Sequence, residues 1–320
     1  MMNFITHSLL IDRQIISQKS SSYDHTAIWI EILHPTELER AFIQTQENIV
    51  LPDRHELHEI EFSHQFYQEK DCIFLTLHLV TVAYPQPESH AMNIILTKNK
   101  MITVRYSEAH PVKLFLEQLT LKSFQLKTHY DLVKILLQFF IGHNADILET
   151  VGERTNNLAI ALSGGFRNST LKIRENRLNE TLLEINTLES LISMTYQSLS
   201  SLDMLINYLE QSILPNLVDF KALKRDIFSL LKQADYLNQK VVFQLDSTLG
   251  LINIEQMGIV KIFTVLAMVF MPPTLIASIY GMNFKYMPEL SFYFGYPILL
   301  GVMTLSAYFP WVIFRRKGWI

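Results

Sequence analysis

Residues 262–280 read IFTVLAMVFMPPTLIASIY and residues 291–314 read SFYFGYPILLGVMTLSAYFPWVIF, with the linker GMNFKYMPEL between them. Neither run contains a charged side chain. A helix of about 20 apolar residues crosses the hydrocarbon core of a bilayer, so each run is long enough to span a membrane. The sequence therefore predicts a hairpin of two antiparallel transmembrane helices, at residues 259–280 and 291–314.

Basic residues flank the outer ends of this hairpin. Lys261 precedes the first run and the tail, residues 315–320, begins with Arg-Arg-Lys, whereas the linker carries Lys285 as its one cation beside one anion. Because basic residues accumulate on the cytoplasmic side of a membrane, both chain termini are expected in the cytoplasm, and Trp311 and Trp319 suit an aromatic belt. The alternative is a pair of buried helices in a soluble protein, which the run lengths and the basic flank disfavour.

The composition of the chain excludes several other classes. Of 320 residues 49% are hydrophobic and 18% charged, and the apolar excess lies in the last sixty. The net charge of −4 argues against nucleic acid as a partner. Cys72 is the single cysteine, so no intrachain disulfide can form. The first 16 residues lack the basic and apolar pattern of a signal peptide, which agrees with a cytoplasmic soluble part.

Ahead of the hairpin the pattern predicts an α/β domain, residues 1–113, and then a helical region, residues 114–215. Thr36 and Glu39 have the spacing of a helix capping box. Four segments rich in β-branched and aromatic residues predict strands. These segments are residues 26–33, 72–82, 91–97 and 101–105.

Residues 216–281 predict one long stalk helix that continues into the first span. At 1.5 Å per residue such a helix is roughly 100 Å long, and it needs lateral packing to be stable. Two spans cannot enclose a water-filled path, so an ion path implies an oligomer with the first span at its centre. The alternative is a membrane-anchored coiled-coil protein without a pore.

One face of the first span combines hydroxyls, thioethers and small apolar groups, and a carboxylate follows when the stripe is projected back at the helical period. Oxygen atoms at intervals suit a hard, hydrated cation, and apolar groups between them suit a gate that closes by dewetting. The alternative is that small and hydroxyl side chains only allow helices to approach closely. The residues of this stripe are Ser278, Thr274, Met271, Val260, Met257 and Asp246.

Soft metal ligands are absent from the predicted membrane path. No histidine follows His143 and no cysteine follows Cys72, which argues against inner-sphere zinc or copper ligation there. His55, His58 and His64 are closer together, but their spacing is common and specifies no metal site.

The linker resembles the signature of the CorA family of magnesium channels, within the superfamily of two-span proteins with a Gly-x-Asn motif. YGMNF at residues 280–284 is followed by MPEL at residues 287–290, between two C-terminal spans. Further similarity lies in INIEQ at 252–256, MPPT at 271–274 and FGYP at 294–297, and weaker similarity covers the whole chain.

This resemblance implies a funnel-shaped homopentamer in a bacterial inner membrane, with an α/β cytoplasmic domain and a long-helix stalk. Five copies of Gly281, Met282 and Asn283 would form the selectivity filter at the periplasmic mouth. Asn283 amide oxygens would accept hydrogen bonds from the water shell of Mg²⁺, which the ion gives up reluctantly. The implied pore positions below the filter are Ser278, Thr274, Met271, Phe263, Val260, Met257 and Asp246.

The transported ion implied by the family is Mg²⁺, with Co²⁺ and Ni²⁺ as further candidates, and Mg²⁺ is also the implied regulatory ion, with no other cofactor. Intracellular Mg²⁺ between subunits would hold the channel closed. Asp226 and Glu88 are candidate regulatory ligands, although Pro85 and Pro87 occupy a region where relatives place acids.

Three positions depart from the family pattern. Met257 replaces a usual asparagine, Gly258 replaces a polar residue, and Lys285 replaces a usual glutamate near the mouth. The alternatives that stay open are a zinc transporter of the same superfamily and a non-transporting membrane-anchored sensor. The chain is not expected to be an enzyme.

Overall fold

The computed structural model describes residues 2–6, 27–54, 56–58, 65–82, 86–121, 128–164, 171–212, 219–283, 285, 287 and 292–319. The chain divides into two compact units, Met1–Leu245 and Asp246–Ile320. One long helix contributes residues to both units.

The first unit contains a six-stranded sheet. In order across the sheet the strands are β1-β2-β6-β5-β4-β3, and only β2 and β6 pair in parallel. The strands are β1 (Met2–Thr6), β2 (Ala27–Leu33), β3 (Phe66–Glu69), β4 (Cys72–Thr81), β5 (Glu88–Leu96) and β6 (Met101–Arg105).

The central strands are buried on both faces. All five residues of β6 are buried, as are six of the seven in β2. Successive side chains of a strand point to opposite faces, so Trp29 joins one apolar core while Ile30 joins the other. Near-continuous apolar strands are expected where a sheet is covered on both sides.

The helices of the described residues are α1 (Glu37–Glu47), α2 (His110–Leu121), α3 (His129–Gly164), α4 (Leu171–Ser212), α5 (Lys221–Tyr280) and α6 (Gly295–Arg316). The smaller core lies between the sheet and α1, and includes Ile43 of that helix. The larger core joins the other face of the sheet to α2, α3, α4 and the first part of α5. Regions 1–113 and 114–215 therefore share one core.

The capping box predicted at the start of α1 is confirmed. The Thr36 backbone N–H donates to Glu39 Oε2 at 2.9 Å, and the Glu39 backbone N–H donates to Thr36 Oγ1 at 3.3 Å. These bonds satisfy backbone donors that have no partner inside the helix. The backbone hydrogen bond with Thr36 lowers the pKa of Glu39, against the opposing effect of its burial.

Several buried polar side chains on the sheet and helices form hydrogen bonds with one another. The Arg105 guanidinium donates to Glu31 Oε1 from Nη2 at 2.6 Å and from Nε at 3.0 Å. Between α3 and α4, Asn144 Nδ2 donates to Ser198 Oγ at 3.1 Å, and Ser198 Oγ donates to the His78 carbonyl oxygen at 2.7 Å. These contacts tie helix positions to the strand register.

All four predicted strands form, with end shifts of at most a few residues, whereas β1 and β3 were not predicted. Both are edge strands. In β3 only Phe66 is buried, because the rest of that short strand carries polar or half-exposed side chains. α2 begins at His110 rather than near residue 114, since Pro111 is acceptable in a first helical turn.

The second unit is a helical hairpin made from the end of α5 and from α6. α5 runs continuously through Pro272 and Pro273. α6 begins at Gly295, four residues later than the predicted span, with Pro297 in its first turn. The linker is described only at residues 281–283, 285 and 287, so Glu289 lies outside the described residues.

Candidate functional site: the hairpin and its first helix

The hairpin helices expose the apolar side chains that soluble helices bury. The most apolar 18-residue stretch of α5 is 6% buried, and so is that of α6. A pair of core helices would be mostly buried, so the alternative of buried helices in a soluble protein is wrong for the described structure. The two helices are long and apolar enough to cross a membrane.

The residues of the predicted stripe are carried by one continuous helix. At 100° per residue, Ser278, Met271 and Val260 fall within about 20° of one another, and the other members fall on either side. Phe263 is 68% exposed and Met257 62% exposed in the single chain. The stripe residues therefore share one face of the helix, and that face is accessible to a partner or to an ion path.

The Thr274 hydroxyl is held against its own helix. Its Oγ1 donates to the Phe270 carbonyl oxygen at 2.7 Å. This bond satisfies the hydroxyl proton and leaves the oxygen lone pairs as acceptors, directed away from that carbonyl. An acceptor oxygen of this kind can receive a hydrogen bond from a water of a hydrated cation.

α5 ends immediately before the candidate filter. The Gly281 N–H donates to the Ala277 carbonyl oxygen at 2.9 Å, and the Met282 N–H donates to the Ile279 carbonyl oxygen at 3.3 Å. A Cβ atom at Gly281 would lie 3.1 Å from the Ala277 carbonyl oxygen, a tight contact with backbone. Glycine has no Cβ atom and therefore allows the helix to end in this conformation.

Asn283 follows the last helical hydrogen bonds and is exposed. Met282 beside it is 49% exposed, and Lys285 is also exposed. The predicted filter residues therefore lie together at the end of the helix that carries the stripe. A single chain contains one copy of this set.

At the other end of the hairpin, the chain after α6 folds back in a defined turn. Gly318 has a φ of +67°, its N–H donates to the Arg315 carbonyl oxygen at 3.2 Å, and the Trp319 N–H donates to the Phe314 carbonyl oxygen at 3.0 Å. This pair of bonds with a left-handed glycine is the Schellman motif. The Trp319 ring stacks on Phe314 with centroids 5.3 Å apart.

The same tryptophan meets the start of the first span. Lys261 Nζ lies 5.8 Å from the Trp319 ring centroid, and the Arg315 guanidinium carbon lies 5.3 Å from that of Trp311. The cations and the aromatic residues are each evident in the sequence, whereas their contact was not predicted. A glycine directly after a basic last turn was the available signal.

The candidate regulatory ligands are surface residues of the first unit. Asp226 is exposed on α5, and Glu88, at the start of β5, is largely exposed, with Oε2 3.4 Å from His90 Nε2. Pro87 is buried, whereas Pro85 lies outside the described residues. The structure does not assemble Asp226 and Glu88 with further ligands, since among the described residues no three His, Cys, Asp or Glu side chains form a metal-binding group.

The three spaced histidines yield no metal centre within the described part of the chain. His58 ends a short 3₁₀ turn, Glu56–His58, while His55 and His64 lie outside the described residues.

The fold and the hairpin define a membrane protein with two transmembrane helices and a large α/β and helical soluble unit. Residues 24–316 match the family model described as CorA-like Mg2+ transporter protein. The chain belongs to this family, which is a family of transporters rather than of enzymes.

Curated relatives match over almost their whole length. The chain is 30% identical to the magnesium transport protein CorA of Campylobacter jejuni strain RM1221, over 98% of each chain. It is 32% identical to the magnesium transport protein CorA of Escherichia coli K12, over 92% of each chain.

Solved structures share the fold. The complete structure of the CorA magnesium transporter from Methanocaldococcus jannaschii matches with a TM-score of 0.72 and 20% identity, over 94% of each chain. The full-length CmaX protein matches with a TM-score of 0.62 and 12% identity, over 95% of this chain and 93% of that one. The predicted architecture of an N-terminal α/β domain, long helices and two C-terminal spans is confirmed, as is the resemblance to the CorA family.

Proposed function

We propose that this chain is the subunit of an ion channel that carries Mg²⁺ into the cell. The observation that supports it most directly is the placement of Gly281, Met282 and Asn283 at the end of the helix that carries the stripe. Family membership and relatives named as magnesium transport proteins agree with Mg²⁺ as the ion.

The proposed filter acts on the hydrated ion. Mg²⁺ dehydrates reluctantly, so a ring of Asn283 amide oxygens that accepts hydrogen bonds from its waters selects the ion without stripping it. Hydrated Co²⁺ and Ni²⁺ are the further ions that such a ring would admit. Entry is driven by the membrane potential, which for two charges supplies about 4.6 kcal/mol per 100 mV.

Below the filter, the proposed path follows α5. Thr274 and Ser278 offer hydroxyl oxygens, and Met271, Phe263 and Val260 form apolar rings that close the path when water leaves. Met257 extends the apolar section toward Asp246, where a ring of carboxylates would attract the cation.

A path of this kind requires several subunits. One chain supplies two spans, so we propose a homopentamer with α5 of each subunit at the centre and both termini in the cytoplasm of a bacterium. The basic residues at the outer ends of the hairpin support this orientation. Asn283 would then lie at the periplasmic mouth.

We also propose that intracellular Mg²⁺ closes the channel. A cation bound between subunits would favour the closed state, and its removal would allow like charges to separate the subunits. Asp226 and Glu88 are candidate ligands because both carboxylates are exposed on the first unit.

Uptake into proteoliposomes tests the channel and its filter. The purified full-length protein is compared with Asn283→Ala, using an internal fluorescent Mg²⁺ indicator and a potential that is negative inside. Uptake by the parent protein should fall at least tenfold in the variant and should be suppressed by high internal Mg²⁺ (tenfold corresponds to about 1.4 kcal/mol).

The matched control is Asn99→Ala, an exposed asparagine in the turn between β5 and β6. It should leave uptake unchanged. Equal uptake by all three proteins would show that Asn283 does not form the selectivity filter. A folded, inserted oligomer that carries Zn²⁺ but not Mg²⁺ would support the zinc alternative, and one that carries neither would support the sensor.

A further inference from the structure

The inner end of the hairpin brings together basic side chains from two separate helices. Lys261 comes from α5, and Arg315, Arg316 and Lys317 come from the end of α6 and the turn after it. The contact of Lys261 with Trp319 joins the two groups. The sequence separates these cations by more than fifty residues, so the cluster is a product of the fold.

Two of the four cations are positioned by aromatic rings. The Schellman turn at Gly318 directs Trp319 back onto Phe314. Lys261 Nζ lies over the Trp319 ring. Arg315 lies over Trp311, one turn earlier on α6. Attraction between a cation and an aromatic face limits where each charge can move, so the charges are held near the end of the hairpin.

The cluster carries positive charge without acidic compensation in the described part of the second unit. Asp246 and Glu255 are the acidic residues described there, and neither forms an ion pair with Lys261, Arg315, Arg316 or Lys317 among the described residues. Arg315, Arg316 and Lys317 are exposed. An anionic partner can therefore reach them.

Exposed apolar side chains occur near the cations along both helices. Ile262 follows Lys261 directly and is 61% exposed, and Phe309 precedes the basic turn on α6 and is 70% exposed. A soluble anion gains nothing from such side chains. An amphiphile with an anionic head and acyl chains can contact both the cations and the apolar surface.

We propose that this cluster is a binding surface for the phosphate of an anionic glycerophospholipid. The phosphate accepts hydrogen bonds from the Arg and Lys side chains, and Trp311 and Trp319 lie at the level of the headgroups. Basic residues beside a membrane span attract anionic lipid from a mixed leaflet. The proposal rests on membrane insertion and is independent of the ion that is carried.

Brominated lipids test this surface, because bromine quenches tryptophan fluorescence at close range. The chain has three tryptophans, and Trp29 is fully buried in the core of the first unit, so only Trp311 and Trp319 report on lipid. The full-length protein is reconstituted in equal parts of phosphatidylcholine and phosphatidylglycerol, with either one brominated. Quenching should show about a fivefold preference for phosphatidylglycerol, the size expected from one basic residue near an anionic surface.

Lys261→Gln/Arg315→Gln/Arg316→Gln/Lys317→Gln should abolish this preference, and Arg315→Lys/Arg316→Lys, which keeps the charge, should retain it. Lys285→Gln is the matched control at the other end of the hairpin and should also retain it. The preference is taken as a ratio within each protein, so altered fluorescence of a variant does not affect it. Equal quenching by the two lipids in the parent protein, or loss of the preference in Lys285→Gln, would overturn the proposal.

Discussion

Among the described residues, the first unit encloses most of its large apolar side chains, whereas the second unit exposes most of them. Leu188 and Phe140 are at most 1% exposed, while Leu275 and Phe263 are 60% and 68% exposed. In the first unit, burial against neighbouring elements supplies the stabilisation. In the second unit most of the same kinds of side chain are left uncovered by the described residues, so lipid or further subunits must cover them.

The two units also differ in how they satisfy their polar groups. In the first unit, charged groups are buried with partners, as in the Arg105 and Glu31 pair. In the second unit, hydroxyls of α5 and α6 donate to carbonyls of their own helices, as Thr274 and Thr304 do. A membrane helix has to satisfy its polar groups internally, because the hydrocarbon offers no water.

The largest effect is expected from removing Arg105, a buried cation of the first unit. Arg105→Met deprives Glu31, which is 1% exposed, of its arginine, and breaking such a pair costs about 3–5 kcal/mol. Urea denaturation of the full-length protein in detergent measures it, with Trp29 as the probe after Trp311 and Trp319 are replaced by Phe. Lys98→Met, which breaks the exposed ion pair with Asp71, should leave the unfolding curve unchanged. An equal loss of stability in the two variants would contradict the expected difference between a buried and an exposed ion pair.

A matched leucine pair compares apolar burial directly. Leu188→Ala should lower the free energy of unfolding of the first unit by about 2–5 kcal/mol, because it opens a cavity in the larger core. Leu275→Ala removes an exposed side chain of the hairpin and should leave that transition in place. The same Trp29 assay measures both. A shift from Leu275→Ala as large as that from Leu188→Ala would show that the two units unfold together.

Acid should weaken the first unit through its buried histidines. Burial lowers the pKa of His129 and of His143, against the raising effect of their backbone hydrogen bonds with Thr97 and Val80. The unfolded chain then binds protons at a higher pH than the folded chain, so stability is present above the ordinary histidine pKa of about 6.5 and falls as pH decreases below it.

Unfolding curves measured between pH 7 and pH 5 follow this loss. His143→Gln should reduce the slope of the unfolding free energy against pH, since it removes one of these two histidines with a lowered pKa. His34→Gln is the control, because His34 is exposed in the bend after β2. If the dependence of the unfolding free energy on pH is unchanged in His143→Gln, groups other than His143 cause it.

The smallest expected effect concerns the exposed linker of the second unit. Lys285→Glu replaces a cation near the proposed mouth by an anion, so uptake at low Mg²⁺ should rise by a small factor, and the rise should shrink as salt screens the charge. Proteoliposome uptake at two ionic strengths measures both. Lys232→Glu, on the first part of α5, tests whether a negative charge added away from the linker raises uptake in the same way. No change in Lys285→Glu would count against steering by the linker.

The sequence was sufficient for elements whose signal is local. The capping box of Thr36 and Glu39, the strand at residues 101–105 and the two uncharged runs follow from residue types at short spacing, and all three agree with the structure. The edge strands β1 and β3 were missed because their residues are mixed in polarity and acquire strand geometry by pairing with β2 and β4. The roles of the filter and stripe residues stay predictions.

The sequence by itself determined that this protein has two membrane spans, a long helix that ends at Gly281-Met282-Asn283 and a basic outer flank, because apolar length, helical period and charge are properties of adjacent residues. Tertiary structure decided which apolar side chains are enclosed, how Arg105 finds Glu31, and that Trp319 turns back to meet Lys261. Those contacts join residues distant in the chain, and only packing in three dimensions brings such residues within reach of one another.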